Sequence, residues 1–345
     1  MLNTTGRNSR LLRYVLNSSF STVAPRQVAL YPRPGNPWTT TGRPNLIANR
    51  GFASTTDATS ATATQGVTLS RSTEAYLTAN VNDLLSLKDR VTVITGGGRG
   101  IGLALAFAVA EAGGQVAIVD AAERPHEHYH KLEATCNKVK YYQSDVTDYA
   151  RLQSTFNSIS EHFHRVDGII TAAGICPDEP FLERNPESVK RCFEINSLGT
   201  YYSAQLAARQ MTKQPRLENS ASAGSIVMVA SIAAHQASLG QYTSDYCSSK
   251  GAVLSLSRQL SVELARPGIR VNCLSPGYIM TDLVLDIADT RPGLAQIFVS
   301  EPPMKRMGDR SELKGAVVYL LSEASSYMTG GELLITGGMH AGRTE

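Results

Sequence analysis

Tyr246 and Lys250 stand four positions apart in the run Tyr246-Cys247-Ser248-Ser249-Lys250. On a helix this spacing puts both side chains on one face. A free tyrosine has a pKa near ~10 and is a poor base at neutral pH. A neighbouring cation favours the phenolate and lowers that value, so Tyr246 is expected to exchange a proton with a substrate oxygen. Upstream, Val229-Ala230-Ser231 reads as the end of a strand. A hydroxyl at that point can hydrogen-bond the same oxygen. Tyr/Lys pairs are common on exposed helices, so the pair gains meaning only from what surrounds it.

What surrounds it is a nucleotide loop. The run Thr95-Gly96-Gly97-Gly98-Arg99-Gly100-Ile101-Gly102 follows a short apolar strand, Val91–Thr95. Gly96, Gly100 and Gly102 leave a path without side chains along which a pyrophosphate can reach the backbone. The helix that follows offers free N–H groups and a positive dipole end. The spacing is G-x-x-x-G-x-G rather than G-x-G-x-x-G. Asp120 closes the next strand, 18 residues after Gly102. A carboxylate there accepts hydrogen bonds from both adenosine ribose hydroxyls and repels a 2′-phosphate, which favours NAD. Arg99 points the other way, because a guanidinium pairs with a 2′-phosphate. Charge repulsion at the ribose is the stronger effect, so NAD is expected, with NADP as the alternative.

These groups need a scaffold. Strand-like runs at Val91–Thr95, Gln115–Asp120, Val139–Gln143, Val166–Thr171, Ser225–Ala230, Ile269–Leu274 and Glu332–Thr336 alternate with helical segments. In the first helix, about Gly100 to Ala112, Ile101, Leu105 and Val109 line one face. Ala104, Ala108 and Ala112 form a flat stripe beside it, and Gly113-Gly114 ends the helix. Strict β/α alternation predicts an α/β fold: one doubly wound, Rossmann-type parallel sheet of about seven strands, with helices on both faces. Ligands in such folds bind beyond the carboxyl ends of the strands.

Over roughly residues 86–340 the chain resembles a classical short-chain dehydrogenase/reductase. The glycine loop, Asp145-Val146, Ala172-Ala173-Gly174, Asn196, Ser231, Tyr246 with Lys250, and Pro276-Gly277 match that family in order and spacing. The resemblance implies that Asn196 holds a water in a proton relay to Lys250, and that Lys250 also binds the nicotinamide ribose. It implies that Asp145 and Val146 contact adenine and that Ile279 and Thr281 contact the carboxamide. Thr171 stands where the family usually has Asn, which would loosen that turn. The 15-residue step from Ser231 to Tyr246 is slightly long for the family. That step, with Ser275-Pro-Gly-Tyr-Ile-Met-Thr281, is similar to fungal polyol and sugar-ketone members. His235 can face substrate hydroxyls there or serve as a structural loop histidine. Residues 278–304 read as a mobile substrate lid.

The expected reaction is a direct hydride transfer between a secondary alcohol carbon and NAD, with Tyr246 moving the hydroxyl proton and Ser231 holding the oxygen; no metal is needed. A polyol/ketose pair such as D-arabinitol and D-ribulose is the expected substrate class. The alternatives are an NADPH-dependent 3-oxoacyl or other ketone reductase of mitochondria, and a non-catalytic nucleotide-binding scaffold. The resemblance further implies a homotetramer or homodimer built through the helices near 186–212 and 242–265. The second of these carries Val253, Leu256, Leu260 and Leu264 on one stripe, which core packing also explains.

Composition bounds the rest. The 345 residues are 42% apolar and 18% charged, a globular balance. No run approaches 18 apolar residues, so no membrane span is expected. Five cysteines without close pairs show no zinc or redox spacing and fit a reducing compartment. His126, His128 and His130 cannot all share a helix face, and a solvated helix start is expected rather than a metal site. Residues 1–52 hold seven arginines, ten Ser or Thr, no lysine and no acid. This is the composition of a mitochondrial (matrix) presequence, with a processing site near Phe52. Residues 53–72 are low-complexity Ser/Thr/Ala and read as a disordered linker. Residues 73–345 are then one domain. Removing the seven N-terminal arginines from 33 basic residues leaves 26 against 30 acids, a net −4 with no basic patch for nucleic acid.

Overall fold

The computed structural model describes residues 75–342 apart from 137, 219, 283 and 286–290. The presequence and linker expected over 1–52 and 53–72 lie outside the described residues. Two short helical turns, α1 (Ala75–Thr78) and α2 (Val81–Leu85), lead into β1 (Val91–Thr95). All five residues of β1 are buried, as β-branched residues covered by helices on both faces should be. Then come α3 (Gly100–Glu111), β2 (Gln115–Asp120), α4 (Tyr129–Thr135), β3 (Val139–Gln143), α5 (Tyr149–Phe163) and β4 (Gly168–Thr171). The second half holds α6 (Pro186–Phe193), α7 (Gly199–Met211), β5 (Gly224–Val229), α8 (Ser244–Glu263) and β6 (Ile269–Pro276). It closes with β7 (Ile279–Met280), α9 (Pro292–Ser300), β8 (Gly308–Asp309), α10 (Lys314–Leu321) and β9 (Glu332–Ile335).

Seven strands form one parallel sheet in the order β3-β2-β1-β4-β5-β6-β9. The winding direction reverses between β1 and β4, which opens a crevice at the carboxyl edge of the sheet. One apolar core lies under α5, α7 and α8, and the other under α3, α4 and α10. The small parallel pair β7–β8 was not visible in the sequence, because two residues carry no period.

Two expectations need correction. First, α3 has no single apolar face. Leu103, Ala106 and Ala110 are buried with Leu105 and Val109, while Ile101, Ala104 and Ala112 are only partly covered. The helix is wedged between the sheet and α10, so two of its sides are core. Second, the helix expected over 186–212 is interrupted by a π-helical turn, Glu194–Leu198. Asn185 caps its start by accepting from Glu187 N at 2.9 Å, and Pro186 takes the first position. Of the two readings left open for the stripe Val253, Leu256, Leu260 and Leu264, along α8 and its cap, core packing holds. The outward side of α8 carries Ser248, Ala252, Ser255, Gln259 and Val262 instead.

Candidate active site

The sheet delivers the predicted residues to one edge. Gly96 follows β1, Asp120 ends β2, Asp145 and Val146 follow β3, and Ala172–Gly174 follow β4. Ser231 follows β5, and Pro276 ends β6.

The glycine loop has the shape of a dinucleotide cradle. Gly96 has φ +69°, and a Cβ there would lie 2.5 Å from Ala173 Cα. A Cβ on Gly102 would lie 2.1 Å from Gly96 O, so the loop folds directly onto the first turn of α3. Gly100 has φ +57° and open space around it. Thus two glycines serve close packing, and one leaves room at the helix N-terminus, where the free N–H groups of α3 begin. Arg99 is exposed and makes no side-chain cap for that helix. Asp120 accepts from Gly98 N at 2.9 Å through Oδ2 and from Ala122 N at 3.0 Å through Oδ1. Each oxygen keeps a further lone pair, enough to receive ribose hydroxyls. These features fit a nicotinamide dinucleotide.

Other predicted contacts are partly committed within the chain. Asp145 is paired with Arg191 at 2.8 Å and accepts from Thr147 N and Oγ1. Val146 is buried against Gly199, where an added Cβ would lie 2.5 Å away. Ile279 is buried in β7, and Thr281 Oγ1 accepts from Val284 N at 3.4 Å. Thr171 is buried, and its hydroxyl has no hydrogen-bond partner among the described residues. The turn after it is nevertheless held, by Ala172 N donating to Thr95 O at 3.0 Å and Ile175 N donating to Asn196 Oδ1 at 2.9 Å.

Asn196, Ser231, Tyr246 and Lys250 converge. The π turn points the fully buried Asn196 side chain inward, where Nδ2 donates to Ile175 O and to Ser249 Oγ, each at 2.9 Å. A Cβ on Gly174 would lie 3.3 Å from Asn196 Oδ1 and 3.6 Å from Lys250 Nζ, so both groups line the same loop. Lys250 Nζ donates to Val229 O at 2.8 Å and lies 5.8 Å from the centre of the Tyr246 ring. Ser231 Oγ accepts from Ala233 N at 3.1 Å and lies near enough to the Tyr246 phenol to favour its ionised form.

The electrostatics of the polypeptide differ from the expectation that Lys250 lowers the phenol. Burial pushes Tyr246 above its ordinary value; neighbouring Cys176 adds to this, and the Ser231 hydroxyl pulls back. Burial also lowers Lys250 to about 8. Its cation is turned to a carbonyl and is itself disfavoured, so it does little for the phenol.

Beyond Ser231 lies a cavity of about 630 Å³ whose walls include Phe181, His235, Tyr242 and Cys247. His235 Nε2 is hydrogen-bonded to Glu332 Oε1 at 2.7 Å, and Ser275 Oγ donates to the same carboxylate oxygen. Sequence reasoning missed Glu332, Ser249 and the pair Arg184–Asp245. The acid directly before Tyr246 was a visible signal; its distant partner was not.

A doubly wound sheet with a glycine turn at its switch point, and a Ser/Tyr/Lys group beside it, defines a dinucleotide-dependent oxidoreductase. The family profile described as enoyl-(acyl carrier protein) reductase matches residues 96–340. L-rhamnose 1-dehydrogenase (NAD(P)(+)) of a Sphingomonas species is 34% identical over 257 residues, covering 74% of this chain and 97% of that one. D-arabinitol 2-dehydrogenase (ribulose-forming) of Scheffersomyces stipitis is 33% identical, covering 76% and 98%. The crystal structure of a short-chain type dehydrogenase/reductase from Mycobacterium marinum superposes with a TM-score of 0.70 at 35% identity, covering 75% and 99%. The chain belongs to the short-chain dehydrogenase/reductase family, enzymes that act on CH–OH groups.

Proposed function

We propose that the protein interconverts a secondary alcohol and a ketone on a polyol or ketose, with NAD(P) as redox partner. The observation that carries this is the convergence of Ser231, Tyr246, Lys250 and Asn196 beside the glycine cradle. Relatives named for rhamnose and arabinitol support a sugar or polyol substrate, and D-arabinitol to D-ribulose is the pair proposed first. The exposed Arg99 favours a second reading, reduction of a ketone with NADPH.

Gly96, Arg99, Gly100, Ile101, Gly102 and Asp120 would hold the adenosine and pyrophosphate of the dinucleotide. Ala172–Gly174, Lys250, Pro276, Gly277, Ile279 and Thr281 would hold its nicotinamide half. When bound, that group supplies hydride acceptance or donation. Ser231 holds the substrate oxygen, and Tyr246 moves the proton at it. Burial keeps the phenol protonated, which suits donation to a ketone oxygen. Proton removal from an alcohol needs added positive charge beside the ring, which an oxidised nicotinamide would supply, since Lys250 alone does little for the phenol. Asn196 fixes the loop that carries Gly174 and Ile175. His235, on the cavity wall, is proposed to reach substrate hydroxyls only by giving up Glu332.

Import into the mitochondrial matrix with cleavage near Phe52, and assembly through α7 and the outward side of α8, belong to the same proposal. A screen of polyols and ketoses with NAD⁺, NADH and NADPH tests the substrate class. Turnover of acyl thioester ketones alone would overturn it.

A further inference from the structure

The residue before Tyr246 is Asp245, whose carboxylate is sealed from solvent together with the Arg184 guanidinium. Nη1 and Oδ2 are 2.5 Å apart as an ion pair without hydrogen-bond alignment, these two atoms and Nε having no hydrogen-bond partner among the described residues, and the two side chains are 3% and 1% exposed. Asp245 Oδ1 accepts the backbone N–H of Tyr246 at 2.7 Å. Arg184 Nη2 donates to Glu179 O at 2.7 Å and also to Tyr242 O. One guanidinium therefore joins the loop after β4, the residue leading into α8, and the first turn of α8.

A buried ion pair is an expensive way to hold a helix end, since apolar residues of similar volume stabilise as well or better. What the guanidinium fork adds over an apolar pair is fixed direction through Nη2, which donates to two carbonyls while Nη1 meets the Asp245 charge. The loop it grips begins with Gly174 and Ile175, and Ile175 holds both ends of the Asn196 amide. The Tyr246 backbone and the Asn196 side chain are thus referred to one segment through charged and hydrogen-bonded ties.

We propose that Arg184 and Asp245 are positioning residues that set the Tyr246 phenol against Ser231. The inference rests on the reading of Tyr246 as the proton-transfer group. The test uses the full chain with Arg184→Met, Asp245→Leu, the double variant and Arg184→Lys, each measured for Tm, kcat and NAD(H) affinity by fluorescence. A ¹³Cζ-tyrosine NMR signal, assigned to Tyr246 by its loss in Tyr246→Phe, reports ring position independently of activity. Either single variant should lower Tm, because it strands a buried charge. The double variant should regain Tm with unchanged NAD(H) affinity, yet keep kcat about 10-fold or more below the parent and show a displaced Tyr246 signal. A double variant with parental kcat, or an undisplaced Tyr246 signal, would overturn the inference. If the double variant does not fold, Arg184→Lys decides. It keeps the charge and loses the fork, so near-parental Tm with reduced kcat supports positioning, and unchanged kcat overturns it. Activity surviving in Tyr246→Phe would instead overturn the underlying reading of Tyr246.

Discussion

The Lys250 ammonium is held by the Val229 carbonyl at 2.8 Å, and stands 5.8 Å from the centre of the Tyr246 ring. Burial lowers this amine from 10.5 to about 8, which gives a pH prediction. Below about pH 8 both folded and unfolded chains carry the proton, and the cost of burying the cation is fully present. Between about 8 and 10.5 the unfolded chain binds a proton that the folded chain does not, so stability rises with pH. The gain is on the order of 3 kcal/mol. Tyr246 acts in the opposite sense at higher pH: its raised phenol means that stability falls once unfolded tyrosine ionises, above about 10. Above about pH 9 the Cys176 and Cys273 thiols, raised mainly by desolvation to about 12 and about 11, lower stability in parent and variant alike, so the Lys250 contribution is read as a difference: denaturant melts across pH 7–10.5 should show the parent chain gaining stability relative to Lys250→Met.

Removing the proton-transfer group should separate chemistry from binding. Tyr246→Phe is expected to lower kcat by about 10²–10⁴-fold while NAD(H) affinity by fluorescence is retained. Ser231→Ala should fall in the same direction, since it removes the hydroxyl that pulls the phenol down.

Cofactor choice should respond to Asp120 and Arg99 in opposite ways. Asp120→Asn keeps an acceptor for only one of the Gly98 and Ala122 amides, which bond separate oxygens, and removes the charge expected to face a 2′-phosphate. NADPH affinity is expected to rise about 10-fold relative to NADH. Arg99→Ala should weaken NADPH and leave NADH nearly unchanged. Parallel fluorescence titrations with the two nucleotides check both.

Two glycines of one loop should fail differently. Gly102→Ala drives a methyl to 2.1 Å from Gly96 O, so the backbone must move, at a cost of about 1–3 kcal/mol or more. Gly100→Ala meets no atom within 4 Å, and its φ of +57° should cost only about 1–2 kcal/mol. Its methyl should instead obstruct the nucleotide. Urea melts and NAD(H) titrations together should show Gly102→Ala losing stability first and Gly100→Ala losing affinity first.

Much of this architecture was legible in the residues. Val91–Thr95 and Gln115–Asp120 could be read to their ends, because a strand buried on both faces is an unbroken β-branched run between glycine turns. Tyr246 and Lys250 share a helix face by spacing alone. The inward turn at Asn196 was not readable, since a π turn leaves no period in the sequence. The second buried side of α3 was missed because Ala106 and Ala110 fit either a core or a surface, and Leu103 beside them makes no period alone. The Arg184–Asp245 pair joins distant segments, and only the fold brings them together. The proposed leader and linker fall outside the described residues.

The shared carboxylate of Glu332 has a consequence in time. It joins β9 to His235 and Ser275, yet β9 follows every other strand in chain order. Until β9 docks, β6 is the open border of the sheet, and all eight of its residues are ones the finished fold buries. A growing chain that has already made Tyr246 and Lys250 therefore has an adhesive strand with one unpaired edge and an untethered His235 loop. Competence arrives with the last strand, and synthesis halted before residue 332 leaves a product more prone to aggregate than to act.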